Sequence, residues 1–155
     1  MSRFPFHQKK KGQVRSGRVR SGQVKERKEK RMVKFLQINL GRRRAAHDLA
    51  RKEIDLENVD VILVSEPNKK LTATSEWMTD KEGDAAMLCV NKDIGVQVCK
   101  SGVRYVRCEL EKFTIYSCYI SPNITLELFK KRLDAIMMDV IIASKVSKQR
   151  SNSDR

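Results

Sequence analysis

Apolar and polar positions change rhythm several times along the chain, and each change marks an element. Residues 32–38, MVKFLQI, hold a dense apolar and β-branched run suited to a strand, which stops at the breaker Asn39-Leu40-Gly41. Ala45, Ala46, Leu49, Ala50 and Ile54 then recur at three- and four-residue steps, the apolar face of a helix over residues 43–55. Residues 59–65, VDVILVS, are apolar nearly throughout, the texture of a central strand covered on both faces. Strand, helix and strand in close succession predict a βαβ unit with a right-handed crossover.

A polar stretch over residues 66–83, with Trp77 as its only large anchor, reads as a long loop, and long loops in compact domains are often functional. From Asp84 come the runs DAAMLCV, IGVQVCK, VRYVRCEL and FTIYSCYI, separated by turn residues at 91–93, 101–102 and 111–112. Short strands with short connections predict an antiparallel meander. Val103 and Tyr105 against Arg104 and Arg107 suggest one solvated face. After Ser121-Pro122-Asn123, the residues Leu126, Phe129, Leu133, Ile136, Met137 and Val140 define one face of a helix, with Thr125 or Asn123 as its N-cap. The last residues carry no pattern and are expected to fray.

Composition changes this picture mainly at the N-terminus. Residues 1–34 hold 13 Lys and Arg against 2 Glu, or +11, whereas residues 35–155 hold 20 against 17, or +3. Residues 12–26 repeat a five-residue unit, GQVRS-GRVRS-GQVKE, too poor in apolar side chains to offset the entropy of ordering. The expected organisation is a basic disordered tail over 1–31, a folded unit over 32–144 and a disordered C-terminal tail over 145–155. Such a basic tail suits DNA or RNA, because neutralised phosphates release counterions whatever the base sequence. A solvated leader with no dedicated partner is the other reading. No apolar run is long enough to span a bilayer, and no apolar segment follows the basic start. An intracellular protein is expected, nuclear location being plausible, with no membrane partner and no secretion. Cys89, Cys99, Cys108 and Cys118 follow the strand spacing without any C-x-x-C pair, so free thiols are expected in place of a zinc site.

Candidate chemistry gathers where strands end. Asn39 closes the first strand, Glu66-Pro67-Asn68 the second, and Tyr119-Ile120-Ser121-Pro122-Asn123 the last strand of the meander. Pro67 and Pro122 cannot continue a central ladder, which leaves the neighbouring polar side chains at a sheet edge. Taken singly, each is an ordinary turn residue or solvated carboxylate.

The ordered set FLQINLGRRRAAHDL, VILVSEPNKK, DAAMLCV and FTIYSCYISPNITLELFKKRL resembles the endonuclease/exonuclease/phosphatase superfamily, in particular the apurinic-endonuclease-like domain of non-LTR retrotransposons. The resemblance covers about residues 32–142. It implies an α+β fold, the N-terminal half of a four-layer α/β/β/α sandwich, with one mixed sheet and flanking helices encoded here. It implies further that Glu66 holds Mg²⁺ against the scissile phosphate, and that Asn39 orients that carboxylate and the metal's water shell. Tyr119 would contact the phosphate through its hydroxyl and Asn123 would face the DNA backbone. Asn68 and the triplet Arg42, Arg43 and Arg44 would contribute to nucleic-acid binding; for the triplet, a solvated helical turn is the other reading.

Gly41 stands where relatives often place a polar, metal-facing side chain. The family's Asp-x-Asn and terminal Asp-His motifs do not occur after Asn123. The implied function is a truncated Mg²⁺-dependent DNA endonuclease domain of retrotransposon origin, inactive alone. The alternative is a non-catalytic nucleic-acid-binding protein working through its basic tail. A single sheet with an unpaired apolar face would also favour self-association.

Overall fold

The computed structural model describes residues 32–153, so the basic segment 1–31, its repeats and its expected disorder lie outside the described residues. Strand β1 (Phe35–Asn39) leads through α1 (Arg44–Glu57) to β2 (Val61–Ser65), and β1 and β2 pair in parallel, as a βαβ unit requires. The polar stretch after β2 holds a one-turn helix α2 (Lys69–Thr72) and a two-residue strand β3 (Met78–Thr79). β4 (Ala85–Cys89) then runs antiparallel to both β2 and β3, giving the order β1-β2-β4-β3.

The chain next turns through Lys92–Ile94 and enters a second sheet. It consists of β5 (Val96–Ser101), β6 (Tyr105–Leu110) and β7 (Thr114–Cys118), all antiparallel. The α+β class therefore stands, but the expectation of one mixed sheet is corrected to two. The reason lies in pairing: DAAMLCV takes β2 as its neighbour. Asn91, whose side chain accepts from the Asp93 N–H, and the left-handed Gly95 then redirect the chain before β5 begins.

Alternation along the strands explains how the layers close. Ile62, Val64 and Ala86 point to one side of the first sheet and pack on Ala50 and Ile54 of α1, with Leu40 beneath the turn. Val61 and Met87 point to the other side and bury against Val106 and Cys108 of β6. The apolar face that a lone sheet would expose is thus covered by the second sheet, and self-association through an open sheet face loses its basis. On the far side of the second sheet lies α3 (Leu126–Ser153), so the layers run helix, sheet, sheet, helix.

Helix α3 departs from its sequence pattern in two ways. It continues past residue 144 to Ser153, since Lys, Gln and Ser propagate a helix without needing a buried face. Its docked face is Ile136, Asp139 and Ala143, while Leu126, Phe129, Leu133 and Met137 of the expected apolar face remain 40–67% exposed. Asp139 accepts from Lys100 Nζ at 2.6 Å, Arg107 Nη1 at 3.0 Å and the Tyr116 hydroxyl at 3.1 Å, one donor from each strand of the second sheet. That contact also corrects the expected solvated face of β6: Arg107 and Glu109 are buried and paired at 3.1 Å beneath the helix. Cys99 and Cys108 face each other across β5 and β6 and form a disulfide in place of two free thiols; Cys89 and Cys118 stay free. Among the described residues, no helix is long and apolar enough to cross a membrane.

Candidate functional site

The ends of β1, β2 and β7 and the start of β4 meet at one sheet edge. Gly41 and Arg42 both take left-handed backbone conformations, with φ of 51° and 59°, to carry the chain from β1 into α1. The Arg42 N–H donates to the Glu66 carbonyl at 2.8 Å, and the Glu66 N–H donates to the Asp84 carbonyl at 2.8 Å. Glu66 itself has φ of 48°, and Arg104 in the turn before β6 has φ of 69°. Non-glycine residues rarely adopt this conformation, and here Arg42, Glu66 and Arg104 do so within one hydrogen-bonded cluster. Strained backbone of this kind persists only where its surroundings fix it, and it concentrates at functional sites.

The side chains converge on the same edge. The Tyr119 hydroxyl donates to Glu66 Oε1 across 53 residues of sequence, and the Tyr119 N–H donates to the Arg104 carbonyl at 3.0 Å. The bond to Glu66, with some burial and the carboxylate's charge, raises the Tyr119 phenol above its usual range. Asn39 lies level with Ser65 in the ladder, yet its Oδ1 accepts from the Gly41 N–H at 2.8 Å and holds the turn in place of Glu66. Asn68 accepts from the Lys70 N–H, and its Nδ2 donates to the Arg42 carbonyl at 3.1 Å, tying the Glu66-Pro67-Asn68 loop to the first turn. Asn123 is exposed, and its N–H donates to Ser121 Oγ at 3.3 Å within its own turn. Arg43 and Arg44 are exposed at the start of α1 and form no ion pair among the described residues.

Asp84 is a hub that sequence reasoning missed. Its buried carboxylate accepts from Arg42 Nη2 at 2.7 Å and from Arg104 Nη1, with Lys69 Nζ at 3.6 Å. Burial pushes the Asp84 carboxyl up, but the Arg42 bond and the charges of Lys69 and Arg104 outweigh it and hold it below the ordinary range. The same bond to Asp84 raises the Arg42 guanidinium. Arg104 also pairs with Glu82. Behind this network, the buried Asp80 accepts from the backbone N–H groups of Glu82, Asp84, Ala85 and Arg104, fixing the loop between β3 and β4.

His47, on the inner face of α1, is buried. Its Nε2 accepts from the Asn68 N–H at 2.9 Å, and Trp77 meets its ring edge-on. Burial first, then the Arg51 charge, lowers the imidazole against a weaker opposing pull from Asp48, so the neutral form that can accept this bond is favoured. The visible sequence signal for Asp84 was its place at the head of an apolar run. For His47 it was the three-residue step to Ala50, which puts both on one face.

Oxygen donors of the kind a hard divalent cation takes are present as the Glu66 carboxylate and the Asn39 carboxamide. Asp84 and Glu82 are engaged by arginines, whereas Glu66 is bonded to a neutral hydroxyl. Among the described residues, no group of three or more His, Cys, Asp and Glu is arranged to hold a metal, so a cation at this edge would have one carboxylate, Glu66, as its charged protein ligand. Mg²⁺ tolerates this, since it commonly keeps several waters and takes one or two carboxylates.

No protein-family model matches the chain, and no curated protein matches its sequence. Among solved structures it is similar to the endonuclease domain of TRAS1, a telomere-specific non-LTR retrotransposon, with a TM-score of 0.51 and 19% identity. The match covers 67% of this chain and 53% of that one, so the chain spans about half the length of the structure it resembles. The likeness establishes the α+β class and a fold like that of the matched domain.

Proposed function

We propose that the edge formed by Asn39, Glu66 and Tyr119 is a phosphodiester-facing site of endonuclease type, with DNA as its polymer. The observation that carries this reading is the Tyr119–Glu66 hydrogen bond, which joins two distant strand ends beside a strained, arginine-lined turn. Glu66, with Asn39 beside it, would hold Mg²⁺. The cation would stabilise charge developing on the phosphate oxygens. With Glu66 turned to the cation, the Tyr119 hydroxyl would give its proton to a phosphate oxygen in place of Glu66. Arg42 is half-exposed and feels the charge of Glu66, a position from which its guanidinium can meet a phosphate. Asn68, Arg43, Arg44 and Asn123 would contact flanking phosphates.

Hydrolysis also needs a group that orients and deprotonates the attacking water. Asp84 is committed to arginines, and His47 lies beneath the Asn68 backbone. The site described here therefore binds without efficient turnover. Supercoiled plasmid incubated with Mg²⁺ is expected to be retained on the protein but scarcely nicked. Robust nicking abolished by Glu66→Gln would show that the chain carries the whole catalytic set.

A second reading is favoured by the +11 charge of residues 1–34: non-catalytic nucleic-acid binding through that segment. It predicts affinity that falls steeply with salt and vanishes when residues 1–31 are deleted. Binding that survives the deletion and weakens on Arg42→Ala supports the edge site instead.

A further inference from the structure

Helix α1 buries His47, Ala50 and Ile54 on its inner face, spaced three and four residues apart. Two of these are apolar and fill the core, and an imidazole in their company is costly unless its polar atoms find partners. Its Nε2 accepts from the Asn68 N–H at 2.9 Å, which requires the neutral ring with its proton on Nδ1. The bond ties the first helix to the loop that follows Glu66, 21 residues away in sequence.

From Asn68 the contacts lead on to Glu66. Asn68 Nδ2 donates to the Arg42 carbonyl at 3.1 Å, and the Arg42 N–H donates to the Glu66 carbonyl at 2.8 Å. Arg42 and Glu66 both hold left-handed backbone, a conformation that persists only while neighbours fix it. Pro67, fully buried between Glu66 and Asn68, stiffens the step from one to the other. Anchoring Asn68 therefore anchors the backbone from which the Glu66 carboxylate projects.

We infer that, on the reading of this edge proposed above, His47 is its positioning residue: the neutral ring holds the Glu66-Pro67-Asn68 loop in its cation-binding arrangement, and protonation of the ring releases it. The site would then be under proton control through a side chain that touches neither cation nor phosphate. A protonated imidazole carries N–H groups on both nitrogens, so Nε2 would face the Asn68 N–H donor to donor. Of the charged groups acting on the ring, Arg51 opposes protonation and Asp48 favours it, both from α1 itself. The elements packed on it from outside α1 present the Asn68 N–H and the Trp77 indole, neither of them charged.

The test is the Mn²⁺ affinity of the full chain, read from broadening of the ¹³C-labelled Tyr119 ring between about pH 7.5 and about pH 5.5, the range in which histidine changes charge. At the upper pH, His47→Leu should bind about tenfold more weakly than the parent, the lower end of what a supporting shell contributes to metal affinity. His47→Gln, whose carboxamide oxygen can accept the same bond, should bind there as the parent does. Lowering the pH should weaken the parent more than His47→Gln, because Glu66 is common to both and only the parent carries the imidazole. Ile54→Val, which thins the same helix face away from the loop, should leave the affinity unchanged. A parent in which Mn²⁺ leaves Tyr119 unaffected overturns the edge reading and this inference together. A parent that binds overturns the inference alone if His47→Leu binds as tightly, or if the pH profiles of the parent and His47→Gln coincide. Should His47→Leu lose its circular dichroism signal, those two profiles decide.

Discussion

Asp139→Ala is expected to loosen α3 from the second sheet more than any apolar truncation on that helix. Its carboxylate, with the side chain 4% exposed, accepts from Lys100, Arg107 and Tyr116. Removing it leaves the Arg107 guanidinium, 11% exposed, without its partner on the helix. Deleting one partner of a buried ion pair costs about 3–5 kcal/mol. Two features place this case at the lower end, about 3 kcal/mol by that scale. Arg107 keeps Glu109 at 3.1 Å, and Lys100 is half-exposed and can return to water. For a domain of this size that loss lowers Tm by roughly 10–15 °C. Urea unfolding followed by far-ultraviolet circular dichroism would measure it, with Asp139→Asn falling between the two because it keeps an acceptor but no charge. A loss below about 1 kcal/mol in Asp139→Ala would refute the reasoning, since it would mean that the helix docks through Ile136 and Ala143 alone.

Other consequences follow from the same contacts. In Glu66→Gln the phenol of Tyr119 should titrate at lower pH than in the parent, because the bond and charge that raise it are weakened; ultraviolet titration near 295 nm, a wavelength of about phenolate absorption, reads this against Tyr105, which burial and Asp139 push up to about 12. His47 is lowered on folding, so between its folded value and about 6.5 the unfolded chain binds more protons. Its contribution is fully present above that range and lost as pH falls through it; urea midpoints that do not drop between pH 7.5 and 5.5 more in the parent than in His47→Gln would contradict the Asn68 contact. Reduction of the Cys99–Cys108 disulfide should cost about 2–3 kcal/mol, seen as a lower urea midpoint with dithiothreitol that Cys99→Ser abolishes.

Local pattern carried the sequence reading as far as local physics reaches. The βαβ unit was legible because Val61–Ser65 is apolar on both faces and the steps of α1 match a helix. The division into two sheets was not, since DAAMLCV reads the same whether its neighbour is β2 or the following strand, and short connections favoured pairing in sequence order. The face of α3 was misread because an ionised residue, Asp139, docks the helix more closely than the leucines around it. Asn39, Glu66 and Tyr119 were singled out because strand ends gather polar groups. Asp84, Arg104 and His47 were missed because their roles depend on partners 20 to 42 residues away, which no periodicity reveals.

The central claim is that Glu66 and Tyr119 form one cation- and phosphate-facing site, and paramagnetic broadening tests it without requiring turnover. The chain has three tyrosines, of which Tyr105 and Tyr116 lie beneath α3 and Tyr119 is bonded to Glu66. With ¹³C-labelled tyrosine rings, substoichiometric Mn²⁺ should broaden the Tyr119 resonances selectively, and Glu66→Gln should remove the effect. Equal broadening of all three tyrosines, or Tyr119 broadening that persists in Glu66→Gln, would contradict the account.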